Sequence, residues 1–433
     1  MNKFNIVLSL SIPMVLLSSL YSPKINAQTN QGAFYTGNYK NLFLECGVTK
    51  RVNNANVAIT SADVQARKNE WFNQLFYGTD NQKVYYEVSN DMAYILDANN
   101  NDVRSEGMSY GMAIAVQMDK KTEFDKLWKW SYTYLKHKPT SNQDRSAYAR
   151  KGYFAWQANR DGSIRDANPA SDGEEYFATA LIEASERWGD GTGIYKYSDQ
   201  AKDILNVMIH KEDPDPNFYN SWEQGQGPKD SVTNMFNTTE KQVTFVPYGN
   251  AATFTDPSYH LPAFYELWAR WATVDNQFWA DAAVESRQLF KDASSNVVNP
   301  NNTSGLMADY TTFGGVPTGS QQDFKFDAWR TLMNVGVDYN WFQPDAWEVT
   351  YANKMIDFFA RDKQRAISQG RTDHASTFRL NGSPIDDFGT ASIGLKGNIA
   401  AIALAATDSR RCEFVQSFWD ANLDEGQFRY YSN

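Results

Sequence analysis

The stretch Val103-Arg104-Ser105-Glu106-Gly107-Met108-Ser109-Tyr110-Gly111-Met112 puts one carboxylic acid at the mouth of a charge-poor helical segment, boxed in by glycines, methionine and tyrosine. A proton donor would sit in such a place, because partial desolvation favours the neutral acid. Two more stretches repeat the arrangement of acid, aromatic and helix start: Ala170-Ser171-Asp172-Gly173-Glu174-Glu175-Tyr176-Phe177 and Phe326-Asp327-Ala328-Trp329-Arg330. Three such mouths in one chain point to a carboxylate active site assembled from separate helices.

Outward from these mouths, apolar positions recur at helical spacing, with glycine or proline punctuation and no sustained strand alternation. The spacing predicts helices over 61–76, 104–118, 121–136, 173–188, 198–211, 257–272, 277–292, 325–341, 345–361, 392–406 and 408–421. Segments 28–60, 293–324 and 365–391 read as mostly irregular, and the stretch between His210 and Tyr248 reads as a long rim loop. Every second helix, beginning with 104–118, opens in a Gly-, Ser-, Asp- or aromatic-rich motif and is poor in charge, as a helix buried on most sides must be. The helices between them, such as 61–76 with Arg67, Lys68 and Glu70, are amphipathic and therefore external. Inner and outer helices in alternation describe an all-α toroid with the inner helix starts around one central pocket. A closed ring of six pairs needs twelve helices, whereas eleven are legible. A last inner helix is expected to begin at Arg429-Tyr430-Tyr431-Ser432-Asn433 and is missing from this chain. Each large apolar side chain without its cover forfeits roughly 1.5–3 kcal/mol of burial.

A chain of 433 residues with 42% hydrophobic content can bury a large core, and the expectation is one catalytic domain over residues 28–433. Residues 1–27 carry Lys3, the apolar run Ile6 to Leu20 and a small Ala27, which together read as a cleaved secretory signal. Pro13 and the serines make that run too short and polar for a membrane span. The protein is therefore expected to be exported, periplasmic or extracellular, with no membrane span after cleavage. A net charge of −10 argues against nucleic acid, which needs a basic face. The 13 Trp and 24 Tyr suit the apolar faces and hydroxyl rims of an oligosaccharide or polysaccharide, although many must simply fill the core. Cys46 and Cys412 are too few for a disulfide scaffold and pair only if the fold brings them together. The four histidines show no metal-ligand spacing, and Asp97-Ala98-Asn99-Asn100-Asn101-Asp102 lacks the glycine and glutamate of a calcium loop, so it reads as a polar turn.

Glycosidic cleavage with inversion needs one carboxylic acid to protonate the leaving oxygen and one carboxylate to activate water. Glu106 suits the acid, and Asp327, with Lys325 and Arg330 nearby in sequence, suits the base. For any single acid at a helix start the plain alternative is an N-cap, and capping accounts fully for Asp172. The residues by themselves leave open which two of Glu106, Asp172 and Asp327 react. Asp256-Pro257-Ser258-Tyr259-His260 opens another inner helix, with Pro257 suited to its first position.

Arg104 to Met112, Ala170 to Ala178 with Trp188 closing that helix, Asp256 to Pro262, and Phe326 to Arg330 together resemble glycoside hydrolase family 8, over a span from about Gly32 to Tyr431. The resemblance implies an (α/α)6 barrel, inversion at the anomeric carbon, and neither metal nor cofactor. It implies that Glu106 is the general acid, Asp327 the general base, and Asp172 the residue that positions and distorts the sugar. Tyr259 would lie near the nucleophilic water, and Tyr110, Trp156 and Arg330 would line the cleft. The opening Gly32 to Phe43 and the segment Tyr85-Tyr86-Glu87-Val88 are most similar to xylan-active members, closest to reducing-end xylose-releasing exo-oligoxylanases. Those enzymes close the cleft with a Leu-His-Pro loop, where this chain has Thr390-Ala391-Ser392. The whole resemblance thus favours reducing-end exo-action, and the missing histidine favours an open-cleft endo-1,4-β-xylanase unless the 213–247 loop blocks the cleft. Family 8 also implies glucanase or chitosanase as alternatives. From a different class, a carbohydrate-binding protein without turnover would keep the same fold. Uronate lyases on helical barrels prefer a basic cleft, against the acidic mouths found here.

Overall fold

The computed structural model describes residues 32–140, 144–213, 232–385 and 391–432. The expected leader over 1–27, part of the rim loop and Thr390 lie outside the described residues. Eleven principal helices form the ring: α1 (Ser61–Tyr77), α2 (Ser105–Gln117), α3 (Lys121–Trp130), α4 (Ser171–Trp188), α5 (Tyr197–His210), α6 (Pro262–Trp271), α7 (Asn276–Ala293), α8 (Arg330–Phe342), α9 (Ala346–Ser368), α10 (Ile393–Ile402) and α11 (Arg411–Trp419). Their order reproduces the predicted alternation, and the architecture is an (α/α)6 barrel.

Burial divides the layers as the charge pattern requires. Inner helix α4 is buried from Ser171 through Ala184 apart from half-buried Tyr176, whereas outer helix α1 buries only Val64, Phe72 and Phe76. Helix α1 starts from a reciprocal capping box between Thr60 and Asp63, and α9 from Asp345, whose side chain accepts from the Trp347 amide at 2.8 Å. The inner helices converge through small residues at their first turns. A Cβ on Gly173 would stand 2.6 Å from Ser105 Oγ, so only glycine lets the start of α4 lie against the start of α2. Deeper down, Arg287 of α7 grips Asp338 of α8 with two bonds of 2.7 and 2.8 Å and reaches Glu266 of α6 at 2.8 Å, tying three staves together.

Several boundaries differ from the sequence reading for local reasons. The helix expected over 121–136 widens into a π-turn at Ser131–Leu135. The segments expected to start at 257 and 325 first make 3₁₀ turns at Pro257–Tyr259 and Phe326–Trp329. Short antiparallel ladders occupy stretches that lack a periodic signal. Thr49–Val52 pairs with Ala55–Ala58 across Asn53 and Asn54, both with positive φ, and Tyr85–Ser89 pairs with Met92–Ile95. Val103–Arg104 pairs with Gln157–Ala158, which lays Trp156 beside the start of α2.

The sixth inner position holds, among the described residues, only a twelfth helix, α12 (Arg429–Ser432), one turn long. Within the ring lies a cavity of about 390 Å³ walled by Trp71, Phe72, Ile114, Phe264, Trp341 and Phe418. The two cysteines do meet: Cys46 and Cys412 form a disulfide with Cα atoms 5.2 Å apart, joining the N-terminal segment to α11 across 366 residues. Cross-linking so long a loop restricts the unfolded chain, so the double variant Cys46→Ser, Cys412→Ser is expected to lose about 2–4 kcal/mol of stability. A thermal melt should show a lower midpoint for the variant, with activity at 25 °C retained.

Candidate active site

The three acidic mouths meet at one guanidinium, that of Arg330. Each acid stands in a first helical turn, yet none serves as its cap, because the capping positions are Arg104, Ala170 and Lys325 and their side chains make no cap bond. Asp256, by contrast, does cap its own turn, its Oδ1 accepting from the Ser258 amide at 2.7 Å. Glu106, Asp172 and Asp327 turn inward to one guanidinium. Arg330 Nη1 donates to Glu106 Oε1 at 3.0 Å and to Asp172 Oδ2 at 3.2 Å, and Nη2 lies 3.3 Å from Asp327 Oδ1. Nη1 also donates to the Tyr110 hydroxyl, and the guanidinium lies over the Tyr259 ring, 5.3 Å from its centroid. Six of the seven residues singled out from the sequence are thereby in contact through Arg330. The seventh, Trp156, accepts from the Ser105 amide at 3.0 Å through its carbonyl, and its ring carries the Arg104 guanidinium 5.2 Å from its centroid.

The acids occupy unequal surroundings. The Glu106 side chain is 21% exposed and that of Asp172 only 6%, whereas Asp327 is 44% exposed. Burial first, then the charge of Asp172, pushes the Glu106 carboxyl up to about 7 against the opposing pull of Arg330. Burial also raises Asp172, with Arg330 again opposing. Glu106 is thus held as the neutral acid up to about pH 7, while the Asp327 side chain stays open to water. The contacts of 3.0 and 3.3 Å, joined through the width of one guanidinium, cap the separation of the two carboxyl oxygens. That ceiling falls near the upper end of the roughly 6.5–9.5 Å in which an inverting pair admits a water.

The mouths are braced from behind. Asn334 of α8 donates to the carbonyls of Ser258 and His260 at 2.8 and 3.0 Å, which fixes the turn bearing Tyr259. His260, pushed down to about 3 by burial, is neutral between Thr255 and Ser286, at 2.8 Å from each. Asp309 Oδ1 accepts from the Ala328 amide at 2.8 Å and so holds the turn of Asp327. In that turn Phe326 has φ 37° and is 64% exposed, a strained position beside the base candidate. The calcium-like segment is a polar turn: Asp97 Oδ1 accepts from the amides of Asn99 and Asn100, both at 3.1 Å, and Arg104 Nη2 pairs with Oδ2 at 3.2 Å. The sequence reading left out Asp309 and Tyr430. Tyr430 donates its hydroxyl to Glu106 Oε2 at 3.1 Å from 324 residues away, a contact with no local signal.

The profile of Glycosyl hydrolases family 8 matches residues 51–214. Reducing-end xylose-releasing exo-oligoxylanase Rex8A of Paenibacillus barcinonensis is 38% identical over 411 residues, covering 94% of this chain and 95% of that protein. The reducing end xylose-releasing exo-oligoxylanase of Halalkalibacterium halodurans is 36% identical, covering 94% and 93%. A catalytic mutant of a family 8 xylanase from Teredinibacter turnerae, solved as a xylohexaose complex, superposes with a TM-score of 0.78 at 40% identity, covering 93% of this chain and 95% of that one. With similarity of this kind over 94% of its length, the chain belongs to glycosyl hydrolases family 8.

Proposed function

We propose that the protein hydrolyses β-1,4-xylosidic bonds in xylo-oligosaccharides with inversion, releasing xylose from the reducing end. Glu106 protonates the departing oxygen, Asp327 takes a proton from the attacking water, and Asp172 holds and distorts the sugar between them. Tyr110, Trp156, Tyr259 and Arg330 bind around that sugar. The observation that carries this reading is the pair of unlike carboxyls on opposite nitrogens of Arg330: a protonated, desolvated Glu106 and a water-accessible Asp327. The choice of xylan over other sugars is supported by the two relatives named as reducing-end xylose-releasing exo-oligoxylanases.

Endo-action is the second reading, favoured by the similarity to the Teredinibacter turnerae xylanase and by Thr390-Ala391-Ser392 in place of a closing histidine loop. The Cys46–Cys412 bridge supports export to an oxidising compartment, since such bonds are rare where thiols are kept reduced.

Xylohexaose labelled at its reducing end separates the two modes: labelled xylose released step by step is the expected result, and mixed shorter oligomers from the outset mean endo-action. Proton NMR of fresh product should show the α-anomer first, and Glu106→Ala should abolish turnover with an unchanged melting curve. Because the neutral acid is the working form, kcat/KM is expected to fall as pH rises through about 7. Arg330→Met removes the charge that opposes the upward push on Glu106, so its alkaline limb should move to higher pH while kcat/KM falls about a hundredfold or more.

A further inference from the structure

We propose that Tyr430 is a positioning residue for the general acid, its phenol O–H holding Glu106 Oε2 in place and staying on that oxygen as the carboxylate forms. The inference rests on the reading of Glu106 as the acid. Each oxygen of Glu106 has its own donor: Arg330 Nη1 at 3.0 Å on Oε1 and the Tyr430 hydroxyl at 3.1 Å on Oε2. A guanidinium does not give up its proton, so Oε1 faces a permanent cation and the acidic proton of Glu106 belongs on Oε2. Oε2 then presents that proton to the substrate while a remaining lone pair accepts from Tyr430.

The phenol is built into this position. A Cβ on Gly107 would stand 2.5 Å from the Tyr430 ring and 2.7 Å from its oxygen, so the glycine beside the acid is what lets the ring rest on α2. The turn that carries Tyr430 is anchored by buried Arg429, which donates to the Lys83 carbonyl at 2.7 Å and to the Tyr86 hydroxyl at 3.2 Å. Tyr431 packs perpendicular to Tyr430 with centroids 5.0 Å apart, and Arg104 donates to the Tyr431 hydroxyl. Glu106 is otherwise faced by Asp172 and Asp327, which raise its pKa, and by Arg330, which lowers it together with the Tyr430 hydrogen bond. Tyr110 stands beside it on the same helix and shares Arg330. Burial and the nearby Glu106 charge hold the Tyr430 phenol well above its ordinary range, so it remains a donor.

During cleavage a water oxygen bonds to the anomeric carbon and gives a proton to Asp327, while the bond from that carbon to the glycosidic oxygen breaks, its electron pair goes to the oxygen, and that oxygen takes the proton from Oε2. Glu106 is left as a half-buried carboxylate whose two oxygens already have donors. A hydrogen bond to a charged acceptor is stronger than one to a neutral acid, so Tyr430 contributes more at the transition state than in the ground state.

Tyr430→Phe keeps the ring on Gly107 and removes only the hydroxyl. On xylotriose the variant is expected to lose about tenfold in kcat with little change in KM, and its alkaline limb should move to higher pH. On β-xylobiosyl fluoride, whose leaving group needs no proton, it should match the parent enzyme within about twofold. Parent-like kcat and pH profile on xylotriose, or equal losses on both substrates, would overturn the proposal. Glu106→Gln measured in parallel tells the two readings apart. If it loses xylotriose cleavage and spares the fluoride while Tyr430→Phe does not, Tyr430 alone is wrongly placed. If Glu106→Gln is itself unselective, the assignment of the acid fails and takes this inference with it.

Discussion

One buried cation makes the mouth of this ring possible. Inner helices that start on a common rim point their amide ends and acidic first turns at a shared centre. Three carboxyls so gathered would repel one another or all take up protons. Arg330 sits where the three converge and touches each of them. They differ in burial rather than being neutralised equally: Glu106 is pushed up to about 7, Asp172 keeps only a small exposed edge, and Asp327 is left open to water. A lysine would supply the charge without the planar fork that serves several acceptors at once.

The acids around the centre obey the opposite rule. Glu174 and Glu175, next to Asp172 in sequence, are fully buried and raised well above the usual carboxylate range by burial. Each receives one bond, Glu174 from the Phe154 amide at 2.7 Å and Glu175 from the Tyr265 hydroxyl. Burial likewise lifts Asp309, behind the Asp327 turn, to about 8. Burial makes these groups neutral braces, whereas the carboxyls that contact Arg330 are the ones that line the cleft. The difference between a catalytic and a scaffolding acid here is thus access to one guanidinium.

The ring was legible in the sequence because its helices are long and strongly patterned, so that periodicity, capping and charge contrast agree over many residues. The mouths were legible because an acid among glycines and aromatics at a helix start is unusual locally, and family resemblance then ranked Glu106, Asp172 and Asp327. What escaped was either too short or too distant. Val103–Arg104 and Gln157–Ala158 are two-residue strands with no period to detect, yet they set Trp156 against Arg104 and Ser105 at the start of α2. The Asn53-Asn54 turn was a readable hairpin signal, but its strands are four residues long and largely exposed, without an apolar alternation. The contact of Asp309 with the Ala328 amide, the pairing of Cys46 with Cys412 and the reach of Tyr430 to Glu106 are properties of the closed ring, and no local pattern encodes them.

The groups that converge on Glu106 come from positions as far along the chain as Arg330 and Tyr430, 224 and 324 residues away. Contacts of such separation form late, after the entropy of closing long loops has been met. A molecule in which those contacts had not yet formed would hold the acids without the cation and the phenol that differentiate them, and would be inert even with its helices in place. Turnover by this enzyme is in that sense a reporter of ring closure, and any change that slows docking of the last staves should delay the onset of catalysis more than the recovery of helical signal.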